Sequence, residues 1–292
     1  MKQIIKYVLF ISLGLSTGPQ TIYVIQNASL LANSSTGIAL NHNLNPANIV
    51  FNDKHVSFSK NNSIYDLEGQ KISILNIFNG KKSFFSFENL SSSSIPIYED
   101  SPPIDDNPIG YFDTYWYAVE FSQSFEFNNF FQLSDIMFGY KIKANLYKLF
   151  TDKSTDYSFD VGFRKKINNR IDIGFVLKNL SGESSGVNNQ ISGVYDGNVS
   201  YGLGLNYNIP NAYVHISSDI YYRNSNFVNK VSLKTDFPYL NLIFGKTIYS
   251  GYSDFSYGLN LDFGGWTFVY GYLSLNDNTI GNPSSIQILR EF

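Results

Sequence analysis

The sequence predicts an all-β chain: a closed antiparallel barrel of about fourteen strands that crosses a membrane, behind a cleavable export signal. Three observations carry this. Long segments alternate apolar and polar residues with period two, from residue 55 to the end. The N-terminus has the layout of a secretory signal. Beyond residue 20 there is no apolar run of the roughly 18 residues that a spanning helix needs.

The chain has 292 residues, of which 43% are hydrophobic, 17% aromatic and only 15% charged. Soluble domains carry about 25% charged residues. The formal net charge of -3 argues against a general nucleic-acid binder, which normally presents a basic patch. Cysteine is absent, which excludes disulfides, thiolate chemistry and N-terminal lipidation on cysteine.

Met1-Lys2-Gln3-Ile4-Ile5-Lys6 supplies two positive charges, an apolar run follows from Tyr7 to Leu15, and Ser16-Thr17-Gly18 closes it with small residues. Residues 1–18 are therefore expected to be a signal peptide. Residues 19–54 lack strand periodicity. Ser29-Leu30-Leu31-Ala32 reads as a short helix or a loop, and this segment is expected to fold into the lumen as a plug. Residues 55–292 are expected to form the barrel. Strands are predicted near 55–61, 70–78, 81–89, 111–123, 135–148, 155–165, 170–179, 197–208, 212–222, 227–236, 239–248, 254–263, 265–273 and 284–292. Many are 9–14 residues long, whereas globular strands run about 5–6 and tilted membrane strands about 9–11.

The alternation assigns faces. Tyr115, Tyr117, Val119 and Phe121 share one side of their strand, while Trp116, Ala118, Glu120 and Ser122 share the other. Val161, Phe163, Ile173 and Phe175 fall on the lipid side. The polar residues expected to line the lumen are Glu120, Lys141, Lys143, Asp160, Arg164, Asp172, Lys178 and His215. Asp160 with Arg164, and Lys141 and Lys143 with Glu120, are expected to pair across strands. Residues 90–110 and 181–196 are rich in Ser, Pro, Gly, Asp and Asn and read as long loops on the extracellular side.

No motif points to catalysis. His42, His55 and His215 lack metal-ligand spacing. No Gly-x-Ser-x-Gly joins a strand to a helix, and the glycine-rich pieces lie within strands rather than before helices. No catalytic residue, metal or cofactor is implied. The glycines are expected to relieve crowding or permit curvature. The chain ends on Phe292, and a terminal aromatic on a last strand resembles the assembly signal of many outer-membrane barrels.

Several motifs occur in an order that resembles the PorV/PorQ family of FadL-like outer-membrane proteins. Leu44-Asn45-Pro46-Ala47 is similar to the family's N-terminal Asn-Pro-Ala segment, with Asn48 where the family usually has Gly. His55-Val56-Ser57-Phe58 resembles its first strand, Phe159-Asp160-Val161-Gly162 and Phe175-Val176-Leu177-Lys178-Asn179-Leu180 its paired strands, and Gly258-Leu259-Asn260-Leu261-Asp262-Phe263-Gly264 its C-terminal hairpins. The resemblance implies a fourteen-stranded barrel in the outer membrane, with one of two functions. One is a non-enzymatic subunit associated with type IX protein secretion or surface attachment, whose partners are secretion-system subunits or exported cargo. The other is a FadL-like channel for a hydrophobic small molecule. In both, outer-membrane lipid surrounds the barrel.

Overall fold

A computed structural model describes residues 27–63, 67–97, 108–127, 136–149, 152–181, 199–223, 226–276 and 281–292. The expected signal peptide and residues 98–107 of the stretch at 90–110 lie outside the described residues, as does most of the stretch at 181–196. Fourteen strands form the wall: β1 (His55–Asn62), β2 (Glu68–Phe78), β3 (Lys81–Ile97), β4 (Gly110–Phe127), β5 (Ile136–Leu149), β6 (Asp152–Lys166), β7 (Ile171–Ser181), β8 (Ser200–Ile209), β9 (Val214–Arg223), β10 (Asn226–Thr235), β11 (Leu240–Ile248), β12 (Ser253–Phe263), β13 (Trp266–Ser274) and β14 (Ser284–Glu291). Each pairs antiparallel with its sequence neighbours. β1 and β14 close the ring, from His55 opposite Glu291 to Asn62 opposite Ser284. Closure leaves no unpaired strand edge, which is the condition for a sheet to exist in lipid.

The wall is inside out compared with a soluble protein. The β1 side chains alternate strictly, with Ser57, Ser59 and Asn61 buried and Val56 and Phe58 exposed. Phe163, Ile173, Phe175 and Leu203 face outward, and aromatic pairs cluster near both rims. Tyr213–Phe237 and Trp266 under Arg290 stand at the rim where β1 starts and β14 finishes (the termini end of these two strands), and Tyr249–Tyr252 at the other. This is the apolar belt with two aromatic girdles that a membrane barrel presents to lipid.

Two hairpins at the termini end, β2–β3 and β12–β13, are tight. Asn79-Gly80 and Gly264-Gly265 all take positive φ, as two-residue turns between right-twisted strands require. The chain between β3 and β4 and that between β7 and β8 both leave the opposite end. The expectation of a loop over the whole of 90–110 is corrected. β3 continues to Ile97 and β4 starts at Gly110, with a register irregularity between Ser92 and Ile95 and Pro96 still opposite Tyr111. The Ser/Pro composition describes a strand that the bulge bends, not a break.

Candidate functional site: the luminal plug and its cavity

Residues 27–53 lie inside the barrel. Asn27 caps a short helix, α1 (Ala28–Ala32), its Oδ1 accepting from the backbone N–H of Ser29 at 2.9 Å and of Leu30 at 3.3 Å. Asn45 caps a 3-10 turn over Pro46–Phe51 in the same way, accepting from the Ala47 N–H at 3.0 Å. Proline at the first position of that turn suits it, because its missing N–H would be unpaired there.

The plug rests directly on glycines of the inner wall. A Cβ on Gly271 would collide with the Ala28 carbonyl, one on Gly139 with the Pro46–Ala47 peptide, and one on Gly162 with the Asn45 side chain. On Gly174 it would come within 2.6 Å of the Ile38 carbonyl oxygen, and on Gly245 within 2.6 Å of the Asn33 carbonyl carbon. Gly139 and Gly162 are cross-strand partners, as are Gly174 with Gly204 and Gly258 with Gly271. These positions do more than relieve crowding: they form a track on which the plug backbone lies flush with the wall.

Polar side chains then fix the plug. Asp219 on β9 accepts from Gly37 N–H at 2.7 Å and from Ile38 N–H at 3.1 Å. Ser256 donates to the Ala32 carbonyl at 2.7 Å. Asn45 Nδ2 donates to the Ile38 and Phe163 carbonyls, each at 3.0 Å. Asn48, also fully buried, donates to the Ile38 carbonyl at 2.9 Å and to the Asn41 carbonyl at 3.1 Å, so it ties the 3-10 turn to the middle of the plug. Asn45, Pro46 and Ala47, quoted from the sequence as a motif, are thus plug residues seated on the Gly139–Gly162 pair.

Six of the eight predicted lumen residues form two groups on the inner wall, with Lys178 and His215 apart from them. Lys141 pairs with Glu120 at 3.1 Å and also donates to the Asn43 carbonyl at 2.8 Å, tying β5 to the plug. Lys143 pairs with Glu88 at 3.4 Å, and Glu88 is also bound by Lys71, two residues absent from the sequence-based selection. Arg164 pairs with Asp172 at 2.7 Å rather than with Asp160, which instead accepts the Asn179 N–H at 2.9 Å where β7 bulges. Strand register explains the difference. Asp160 and Arg164 stand two pleats apart on one strand, while Asp172 on the next strand is the diagonal neighbour of Arg164, whose direct partner Gly174 has no side chain to intervene. Lys178 lies over the Tyr221 ring, and Lys230 flanks the same ring. His215 is 3.5 Å from Asp236 near the termini end, and Phe292 extends the β14 pairing through its N–H to the Lys54 carbonyl.

Sequence spacing concealed one grouping. His42 of the plug and His55 of β1 have ring centroids 5.7 Å apart, and Phe84 lies edge-on to His42 at 4.9 Å. Burial, reinforced by the charges of His55, Lys141 and Lys71, holds the His42 imidazole well below its ordinary pKa. Among the described residues no cluster of His, Asp and Glu is arranged to hold a metal.

Between the plug and the wall formed by β9 to β14 with β1 and β2 is a cavity of about 490 Å³. His42, His55 and His215 all line it, and its lip includes Asp53 and Glu291. On the far side of the plug, along β4 toward the opposite end, the wall turns apolar. Leu90, Trp116 and Ala118 pack together with Leu67, and Lys143 Nζ sits 4.7 Å from the Trp116 ring centre.

No family model and no curated protein matches the sequence. Solved structures do match in fold. The toluene transporter TbuX of Ralstonia pickettii aligns with a TM-score of 0.64 at 8% identity, over 92% of this chain and 98% of that one. The monoaromatic hydrocarbon channel CymD gives 0.62 at 10% identity, over 94% and 99%. The toluene transporter TodX of Pseudomonas putida gives 0.57 at 10% identity, over 93% and 99%. At such identities the likeness is one of architecture. Together with the apolar outer belt, it places the chain among bacterial outer-membrane β-barrels.

Proposed function

We propose that this protein is a non-enzymatic outer-membrane channel for small hydrophobic molecules, closed at rest by its own N-terminal segment. The observation that carries this reading is the apolar patch of Leu67, Leu90, Trp116 and Ala118 on the inner wall away from the plug. Apolar side chains on the inner wall of a water-facing barrel suit contact with an apolar solute. The architecture shared with three hydrocarbon channels supports the same reading. The test is uptake of a radiolabelled monoaromatic hydrocarbon by cells carrying the protein, compared with a Trp116→Asn variant. Uptake above that of cells without the protein, reduced by the substitution, is the expected result. Equal uptake with and without the protein would remove the proposal.

A second reading has its own support: a surface subunit of PorV/PorQ type that holds a secreted partner and conducts nothing. The plug fills the lumen over several strands and is held by buried hydrogen bonds, as suits a barrel that need not open. Its test is recovery of exported cargo or secretion subunits from detergent extracts, combined with absence of hydrocarbon uptake.

A further inference from the structure

The outer wall sets two like charges against each other. Lys148, near the end of β5, and Lys153, near the start of β6, are direct cross-strand partners. Both belong to the outward rows of their strands, above Ile142 and Leu146 on β5 and Tyr157 and Phe159 on β6. Like charges directly opposite destabilise a sheet. Lys60, outward on β1 at the same rim, instead pairs with Glu68 of β2 at 3.6 Å. Among the described residues neither Lys148 nor Lys153 is in an ion pair. One outward carboxylate, Asp113, stands a pleat beyond Tyr115 on β4, and it offsets one of the two charges at most.

This rim is the one opposite the termini, and the longer connections of a membrane barrel face the cell exterior. From Phe138 to Leu146 the outward row of β5 climbs roughly 20 Å, at about 3.3 Å per residue and a tilt near 40°. Lys148 therefore stands at the upper edge of the apolar belt, at headgroup level. Its Nζ lies 5.9 Å from the Tyr115 ring centre, and the Tyr115 and Tyr117 centroids are 5.1 Å apart. Thr114 Oγ1 donates to the Lys148 carbonyl at 2.7 Å and holds the backbone there. Below the lysines, Ala144 is a small residue between Tyr157 opposite it on β6 and Val119 opposite it on β4. Ile142 and Leu146 flank it along β5, so the apolar wall has a shallow depression under the charges.

We propose that Lys148 and Lys153 clamp a phosphate of an outer-leaflet glycolipid, one acyl chain of which lies in the depression at Ala144. A phosphate between the two ammonium groups accepts charge-assisted hydrogen bonds from both and relieves their repulsion. A phosphate monoester carries about −1.5 to −2 charge at pH 7, which matches two lysines, whereas the diester of a phospholipid carries a single charge. The lysine stems run along the apolar wall and bring their heads to the headgroup layer. The lipid touches only the outside of the barrel, so the site is independent of what the lumen conducts.

The test is native mass spectrometry of the purified barrel in neutral detergent. It is titrated with diphosphoryl lipid A, with the same lipid stripped of its phosphates, and with phosphatidylglycerol. Saturable retention of diphosphoryl lipid A is expected, with both other lipids weaker. The double variant Lys148→Gln/Lys153→Gln should lose roughly 25-fold in affinity for it, about fivefold per lysine at a lipid surface. Lys60→Gln, at the paired lysine of the same rim, should leave that affinity unchanged. Heat-modifiable gel migration reports that both variants are folded. Unaltered affinity in the double variant, an equal loss in Lys60→Gln, or equal retention of the dephosphorylated lipid would overturn the proposal. Phosphatidylglycerol binding as tightly as lipid A would overturn it too, because the monoester would then not be what the lysines select.

Discussion

Gly37 and Asp219 meet in the lumen, the glycine N–H donating to the carboxylate at 2.7 Å, with the adjacent Ile38 N–H on the same oxygen at 3.1 Å. The two residues are 182 positions apart, and the contact fastens the middle of the plug to β9. A buried carboxylate taking two backbone donors is the strongest polar hold on the plug, because charge-assisted bonds exceed neutral ones about twofold.

Asp219→Ala should therefore loosen the plug without opening the barrel. The cost is about 1.5–3 kcal/mol, or roughly a tenfold to hundredfold rise in the undocked fraction. The chain has no native cysteine, so a Thr36→Cys reporter, buried at 1% exposure, can be labelled by a water-soluble maleimide. Labelling should be much faster in the Asp219→Ala background and intermediate in Asp219→Asn, which keeps one acceptor.

The glycine track makes a steric prediction. Gly271→Ala and Gly139→Ala place a methyl group inside the plug backbone, so each should expel the plug and raise single-channel conductance in planar bilayers. Gly110→Ala is the control. Its nearest neighbour would be Ile97 Cδ1 at 3.8 Å, an ordinary contact, and its conductance should match the parent.

Charge on the outer face should block assembly. Phe159, Ile173 and Leu203 are 36%, 36% and 53% exposed on the lipid side. Lysine at any of them costs about 2–4 kcal/mol near the membrane midplane. The expected outcome is loss of the heat-modifiable band on gels. Lysine in place of Ser57 or Ser73, on the inner wall, should be tolerated by the barrel.

Acid should weaken the plug. His42 has a depressed pKa in the docked state, through burial and then the charges of His55, Lys141 and Lys71. Well above pH 6.5 the imidazole is neutral in both docked and undocked states, and nothing is lost. As pH falls through 6.5, the undocked plug takes up the proton first, and docking weakens until the depressed pKa is reached. Labelling of the Thr36→Cys reporter should accelerate between pH 7.5 and pH 5.5, and His42→Gln should flatten that dependence.

The number of strands and the facing of their residues were legible because the wall separates two environments, and a period of two records both sides. Val161, Phe163, Ile173 and Phe175 read outward for this reason. The plug's seat was not legible. Periodicity tells which face Gly139 or Gly174 occupies, but not that another segment's backbone lies against it. Val176 shows the same limit. It is an apolar residue on the inner face, fully buried, and its cross-strand partner is Gly202, whose missing side chain leaves room for Ile38 of the plug. Lys71 and Glu88 were missed although they stand directly opposite each other on β2 and β3, because that pairing depends on hairpin register and not on spacing along the chain. The same geometry misassigned Arg164, whose partner is set by strand register and not by proximity along the chain.

The plug runs into β1 through only Asp53 and Lys54, and β1 is the strand that meets β14 to complete the ring. The seam of the cylinder is thus also the plug's anchorage. The closed wall offers the N-terminal segment no lateral way in or out, so it can pass only through the mouth beside His55. Its attachment to His55 makes that movement a swing about one rim: the segment can leave the bore but not the barrel, and it stays tethered where it can return.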